Sequence, residues 1–142
     1  MRKAIFPIIL IIFLLIIIPS SSYANSESGL QVGVFGASIL IGMDRVGCFI
    51  HNSGNEVIDD IIITFKVVGG YNDAINLVIN DEKDILQPNS SYIITTNTIR
   101  GFGPIELSIE VTSSNAGSAE KTIHGFQIGD FSITQSYLFA WI

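Results

Sequence analysis

The sequence predicts an all-β domain: an immunoglobulin-like antiparallel β-sandwich of seven or eight strands, preceded by an N-terminal signal segment. Three observations lead to this prediction. Apolar and polar residues alternate with a period of two in several windows after residue 25, as in strands with one buried face. Turn-forming residues separate these windows, and none of them has a helical period. Parallel strands need long crossovers, so the strands are expected to be antiparallel, with a small closed barrel as the alternative.

The predicted signal segment is residues 1–24, which leaves residues 25–142 as a single domain. Arg2 and Lys3 precede an uncharged apolar run over residues 4–18, and Ser22 and Ala24 provide the small residues that a signal peptidase requires. The run is shorter than the roughly 20 residues that span a bilayer as a helix. Cleavage after Ala24 and export are therefore expected, and the alternative is an uncleaved membrane anchor.

The composition excludes some classes of partner. The chain has 142 residues, of which 48% are hydrophobic and 14% charged, so it is expected to fold rather than be disordered. Its formal net charge is −6, and the signal segment holds two basic residues and no acidic one. The exported part is therefore more acidic still, which argues against binding to nucleic acid or by charge to anionic lipid.

The first half of the domain offers three strand candidates, at residues 31–35, 43–51 and 61–68. A turn is expected at residues 52–55, and the Gly69-Gly70 pair is expected to end the third strand. The residues predicted to face the core in the second and third strands are Val46, Cys48, Ile50, Ile61, Ile63, Phe65 and Val67.

The middle of the chain is expected to be more irregular. Residues 76–80 predict a short strand, residues 81–84 a charged turn, residues 85–86 the start of a connector, and residues 91–96 a further strand.

The clearest strand is residues 105–112, where apolar and polar side chains alternate without a break. Ile109 is therefore predicted to be core and Glu110 surface. A turn over residues 113–117 is expected to follow. Residues 100–104 are interpreted as a structured turn with Phe102 plugging one end of the sandwich, and a ligand-contacting loop is the alternative.

The last strands are expected at residues 126–128 and from Phe131 onward. Phe131 and Ile133 are predicted to share one face, and Ser132 and Thr134 the other. Beyond them both faces become apolar, which predicts either a final strand whose aromatic residues fill the sandwich or a segment that docks on a partner. The predicted interface residues are Tyr137, Leu138, Phe139, Trp141 and Ile142.

The sequence offers little for catalysis or metal binding. The single cysteine, Cys48, is expected to be a buried free thiol, and His51, three residues along the same strand, points to the opposite face. Glu106 and Glu110 are roughly 13 Å apart along a strand, too far for a glycosidase pair. No G-x-S-x-G motif occurs. We therefore expect no enzyme, no cofactor and no bound metal.

Acidic turns leave one alternative open. The Asn72-Asp73 pair, residues 81–84 and the Asp59-Asp60 pair offer oxygen ligands of the kind that calcium prefers. They lack EF-hand spacing and are expected to be solvated turns. A small extracellular calcium-dependent binding protein or a hydrolase using these turns is the alternative function.

Asn89 is a candidate glycosylation site. The tripeptide Asn89-Ser90-Ser91 has the acceptor pattern and falls in an expected exposed turn of an exported protein.

Four segments in order resemble the framework of the CARDB-like domains, which are fibronectin-type sandwiches of bacterial and archaeal surface proteins. The segments are residues 52–55, 61–63, 86–91 and 103–107, and the match covers roughly residues 44–112. The chain departs from the family in its long apolar final segment. The resemblance implies a non-enzymatic envelope or adhesion-associated module and no catalytic residue.

Taken together, these features predict a secreted or cell-envelope module that acts by protein or surface contact. Its expected partner is an envelope or surface protein of unknown identity, with no nucleic acid. Membrane association is expected only if the N-terminal segment is retained.

Overall fold

The computed structural model describes residues 24–25, 29–35 and 45–134. Residues 1–23 of the predicted signal segment and the predicted interface residues 137–142 lie outside this part. The described elements in chain order are β1 (Ala24–Asn25), β2 (Leu30–Phe35), β3 (Gly47–Asn52), β4 (Ile58–Gly69), a 3-10 turn (Tyr71–Asp73), β5 (Ile75–Leu86), β6 (Ser91–Thr95), β7 (Gly101–Ser113), β8 (Gly117–Gly129) and β9 (Phe131–Thr134).

The strands form two antiparallel sheets that make a β-sandwich. The four-stranded sheet has the order β1-β2-β3-β6, and the five-stranded sheet has the order β5-β4-β7-β8-β9. The described residues thus contain nine strands where the sequence predicted seven or eight. Within the described part of the chain, no helix is long and apolar enough to cross a membrane.

The core lies between the sheets and confirms the alternation predicted for β3, β4 and β7. Each of these strands buries every second side chain. The fully buried large side chains include Ile50, Ile61, Ile63, Phe65, Val67, Leu107 and Ile109. Glu110 is exposed, as predicted.

β4 begins at Ile58, earlier than the predicted residue 61. The sequence pattern does not reveal this start, because the alternation of buried and exposed side chains is interrupted once. Asp60 has a φ of +51°, a left-handed conformation that Asp tolerates better than most residues. Ile58 and Ile61, three residues apart, are consequently both buried. The loop after β7 supports this irregular start, because the backbone N–H of Asp59 donates to Oδ1 of Asn115 at 3.0 Å.

The predicted charged turn at residues 81–84 is wrong, because these residues belong to the continuous strand β5. Ile63 pairs with Asp81, Ile62 with Glu82 and Ile61 with Lys83 along β4. β5 is an edge strand of its sheet. Charged side chains on such an edge discourage pairing with other chains, so the charges here mark an edge rather than a turn.

The predicted turn at residues 100–104 is also wrong, since Gly101 to Pro104 pair with β8 as part of β7. Pro104 does not interrupt the ladder with β4, because that pairing ends where Gly69 meets Ile105. Gly103 has a φ of +123°, and a Cβ on it would lie 2.7 Å from the backbone nitrogen of Tyr71. This kinked backbone needs glycine but remains a strand. Phe102 is 63% exposed and does not plug the sandwich.

β8 is much longer than the predicted residues 126–128. Its inward positions pair with buried residues of β7, but they carry a mixed set of side chains, so no apolar alternation is visible in the sequence. The inward positions are Ala119, Lys121, Ile123, Gly125 and Gln127.

Candidate interaction surface

As predicted, Phe131 and Ile133 share one face of β9 and Ser132 and Thr134 share the other, and the polar pair is the inner one. Ser132 and Thr134 are each 1% exposed, whereas Phe131 and Ile133 point outward. Ser132 donates a hydrogen bond to Oε1 of the buried Gln127 on β8. Nε2 of Gln127 in turn donates to the carbonyl oxygens of Ile99 at 2.8 Å and Gly129 at 2.9 Å. Among the described residues, Gln127 and Ser132 thus satisfy each other on the inner face, whereas the buried Oγ1 of Thr134 has no hydrogen-bond partner there.

The apolar side chains of three adjacent strands consequently meet on the outer face of the five-stranded sheet. Phe102 is opposite Ile128 and Pro104 is opposite Phe126 on β7 and β8. Ile128 is opposite Phe131 and Phe126 is opposite Ile133 on β8 and β9. We call this set the outer apolar patch: Phe102, Pro104, Phe126, Ile128, Phe131 and Ile133.

The five large side chains of the patch remain between 37% and 63% exposed. The rings of Phe102 and Phe126 make an edge-to-face contact with centroids 5.3 Å apart and an interplanar angle of 87°. Such a contact holds both rings in a defined orientation. Contiguous exposed apolar surface of this kind is typical of interaction sites.

One ion pair and one contact between a histidine and a carboxylate border the patch. Nε of Arg100 lies 2.7 Å from Oδ1 of Asp130 at the end of β8. Nδ1 of His124 lies 3.8 Å from Oε2 of Glu106. These two residues are opposite each other on β7 and β8, two residues along from the opposite pair Pro104 and Phe126. An apolar centre with a polar rim is the usual anatomy of a protein interface.

An open cleft of about 400 Å³ adjoins the patch at Pro104. Glu106 and His124 line it on one side and Asp73 and Asn76 on the other. Its lining includes no hydroxyl or thiol side chain that could act as a nucleophile. The cleft therefore extends the surface with groups suited to hydrogen bonding.

The acidic residues proposed as calcium ligands do not come together. The described residues contain no group of three or more His, Cys, Asp or Glu side chains placed to hold a metal ion. Oδ2 of Asp81 accepts a hydrogen bond of 2.7 Å from the Tyr92 hydroxyl. That hydrogen bond, with some burial, raises the pKa of Tyr92. The backbone N–H of Asp59 donates to Oδ1 of Asn115 in the loop after β7.

Cys48 is fully buried with a free thiol, as predicted. Burial, helped by the negative charge of Asp81, raises the pKa of Cys48 to about 12. A thiol that stays protonated at neutral pH is a poor nucleophile. His51 lies on the opposite face, where its Nδ1 is 2.9 Å from Oγ of Ser91, so the two cannot share an ion.

Asn89 lies in the exposed turn that the sequence predicted. It has a φ of +56° after Pro88, and its backbone N–H donates to the carbonyl of Asn52 at 2.8 Å. The amide side chain is exposed. Its glycosylation stays a prediction.

Sequence reasoning missed the patch, although one signal for it was present. Gly129 and Asp130 form the two-residue loop between β8 and β9, and Gly129 has a φ of +61°. Such a loop fixes the hairpin register, which places residues 126, 128, 131 and 133 on one face. The register alone does not say which face is inside.

The chain matches no family model, no curated protein and no solved structure.

Proposed function

We propose that this protein is a secreted or cell-envelope, non-catalytic module with an immunoglobulin-like sandwich, and that it acts by protein contact through the outer apolar patch. The observation that carries the proposal is the alignment of five exposed large apolar side chains across β7, β8 and β9.

Energetics support a contact role for this patch. Completing the burial of a large apolar side chain contributes up to about 1.5–3 kcal/mol. Buried aromatic side chains, Phe included, contribute strongly to interface energetics, and the patch presents Phe102, Phe126 and Phe131. A partner that covers these rings therefore gains more than one that contacts the polar part of the same sheet face.

The chemistry of the chain favours an envelope or surface protein as the partner. The apolar N-terminal segment supports export, and the acidic charge disfavours nucleic acid. The resemblance to CARDB-like domains points the same way.

Site-specific photo-crosslinking in the producing cells tests the proposal. A photoreactive residue at Phe102 is expected to form adducts with an envelope or surface protein. The matched control places it at Thr112, which is exposed on the same outer face of β7 but away from the patch. Equal adduct formation from both positions, or none from Phe102, contradicts the proposal.

A further inference from the structure

We propose that the protein that covers the outer apolar patch also inserts a basic side chain, Arg or Lys, into the cleft beside the patch. This inference rests on the proposed function and names the chemistry of its partner. Glu106 lines the cleft and lies two residues along β7 from Pro104 of the patch, a distance of roughly 7 Å. A partner that covers the patch therefore reaches the cleft as well.

Two carboxylates line the cleft, and no fixed cation accompanies them. Asp73 and Glu106 are both exposed, and none of the described residues that line the cleft is Lys or Arg. His124, whose Nδ1 lies 3.8 Å from Oε2 of Glu106, carries a positive charge only when protonated. A partner that covered these carboxylates with apolar groups would bury them unpaired, which is costly. A basic side chain of the partner removes that cost.

The polar part of the outer face next to the cleft has the same sign of charge. A recess of about 180 Å³ adjoins the cleft at Glu106. Its lining includes the carboxylates of Glu106, Glu110 and Glu120, and Lys66 is the one basic residue among the described residues that line it. This surface therefore attracts a positively charged partner and repels an acidic one.

The cleft also has a defined shape that suits a long basic side chain. The backbone N–H of Gly70 donates to the carbonyl oxygen of Pro104 at 2.7 Å, and the N–H of Asp73 donates to the carbonyl oxygen of Gly70 at 3.2 Å. These bonds hold the turn that carries Asp73 beside β7. Val68 and Pro104 give the cleft an apolar lining, against which the aliphatic stem of Arg or Lys can pack while its charge meets the carboxylates.

Neutral variants of the cleft test the inference by photo-crosslinking from Phe102 in the producing cells. Asp73→Asn combined with Glu106→Gln is expected to lower the yield of adducts roughly tenfold, because the basic side chain loses both of its acceptors of negative charge. The matched control is Asp84→Asn combined with Glu82→Gln. It removes the same charges from exposed positions of β5 and is expected to leave the yield unchanged.

Each outcome decides the matter. A loss confined to the cleft variant supports the inference. Equal yields from the two variants, or a loss in the control as large as that in the cleft variant, overturn it and leave the proposed function in place. If the chain without these substitutions forms no adduct from Phe102, the proposed function fails and this inference fails with it.

A second measurement uses a defined probe and needs no cellular partner. Nα-acetylarginine amide is titrated into the protein, and Nα-acetylcitrulline amide, which has a similar shape without the charge, is the control. The backbone amide NMR signals of Asp73, Asn76 and Glu106 are expected to shift with the arginine probe and not with the citrulline probe. Equal shifts from the two probes, or none from the arginine probe, would contradict recognition of a basic side chain by the cleft.

Discussion

Asn52 illustrates how one buried polar side chain joins several segments. Its Nδ2 donates to the carbonyl oxygens of Glu56 at 2.7 Å and Leu86 at 3.0 Å. Its Oδ1 accepts from the backbone N–H of Gly54 at 3.0 Å. These bonds tie the end of β3 to the following turn and to the end of β5. The sequence predicted the turn but not this side chain's burial, because polarity alone suggests exposure.

Asn52→Ala is expected to destabilise the fold by about 2–4 kcal/mol, because it removes three hydrogen bonds and leaves buried backbone groups unpaired. Chemical denaturation measures the loss. Asn55→Ala, in the exposed part of the same turn, is the control and should change stability by less than about 0.5 kcal/mol. Similar losses in both variants would show that the turn, and not the buried amide, determines the effect.

Cys48 predicts a defined dependence of stability on pH. Because the pKa of Cys48 is raised in the folded protein to about 12, its contribution is fully present below the ordinary value of 9.0 and is lost as pH rises toward 12. The unfolding free energy of the wild type should therefore fall more steeply over this range than that of Cys48→Ala. Tyr92→Phe serves as a second reference, since the pKa of Tyr92 is also raised. Rapid labelling of Cys48 by a thiol reagent at neutral pH would contradict its protected state.

Among the strands, the alternation of apolar and polar residues predicted a strand correctly where every inward-facing side chain is apolar. β7 shows this best, because Ile105, Leu107, Ile109 and Val111 are all buried. The pattern located β3, β4 and the main part of β7, and with them the core. It says nothing about positions whose inward side chains are small or polar.

Ile109→Ala is expected to cost about 2–5 kcal/mol through lost burial and the cavity left behind, while Glu110→Ala should stay within about 0.5 kcal/mol. Equilibrium unfolding of both variants checks this difference. Comparable losses would mean that the faces of β7 are exchanged.

The outer apolar patch could not be predicted because the end of the five-stranded sheet reverses the usual pattern. Gln127 and Ser132 satisfy each other inside, so the apolar side chains beside them face solvent. A period of two identifies two faces, but a hydrogen-bonded inner row makes the polar face the buried one. The charged turn predicted at residues 81–84 was wrong for a related reason, since the charges of β5 protect a sheet edge instead of marking a turn.

This reversal predicts an unusual ranking of two variants on β9. Ser132→Ala should cost about 1–3 kcal/mol because Oε1 of Gln127 loses its donor. Phe131→Ser should cost less than about 1 kcal/mol, because Phe131 lies on the outer face and is 40% exposed. Thermal unfolding of the two variants gives the ranking. A larger loss from Phe131→Ser would indicate that the apolar face of β9 is inside after all.

At the scale of the whole molecule, β5 and β6, from the two different sheets, are linked across one side of the sandwich. The Tyr92 hydroxyl donates to Asp81, and Nζ of Lys83 lies 5.4 Å from the centre of the Tyr92 ring. Asp81, one of the alternative calcium ligands, thus connects the two sheets.

Calcium is accordingly expected to leave the Tm of the protein unchanged. A ligand that binds only the native state raises stability by mass action, so differential scanning calorimetry with and without millimolar calcium is a direct test. Magnesium at the same concentration controls for ionic strength. A rise of several degrees that is specific to calcium would favour the calcium-dependent alternative.

Within the residues that the structure describes, the five-stranded sheet ends at β5 and β9, and these edges limit the symmetry of any assembly that forms by pairing at them. β5 carries Asp81, Glu82, Lys83 and Asp84, whereas β9 carries Phe131 and Ile133. Joining β5 of one copy to β9 of the next would leave a β5 edge and a β9 edge available again and would generate an open fibre or a closed ring. The charges on β5 oppose that contact. Pairing β9 with β9 of a second copy would instead be two-fold symmetric and would stop at a dimer. We therefore expect an excess of this protein to yield closed pairs and not filaments.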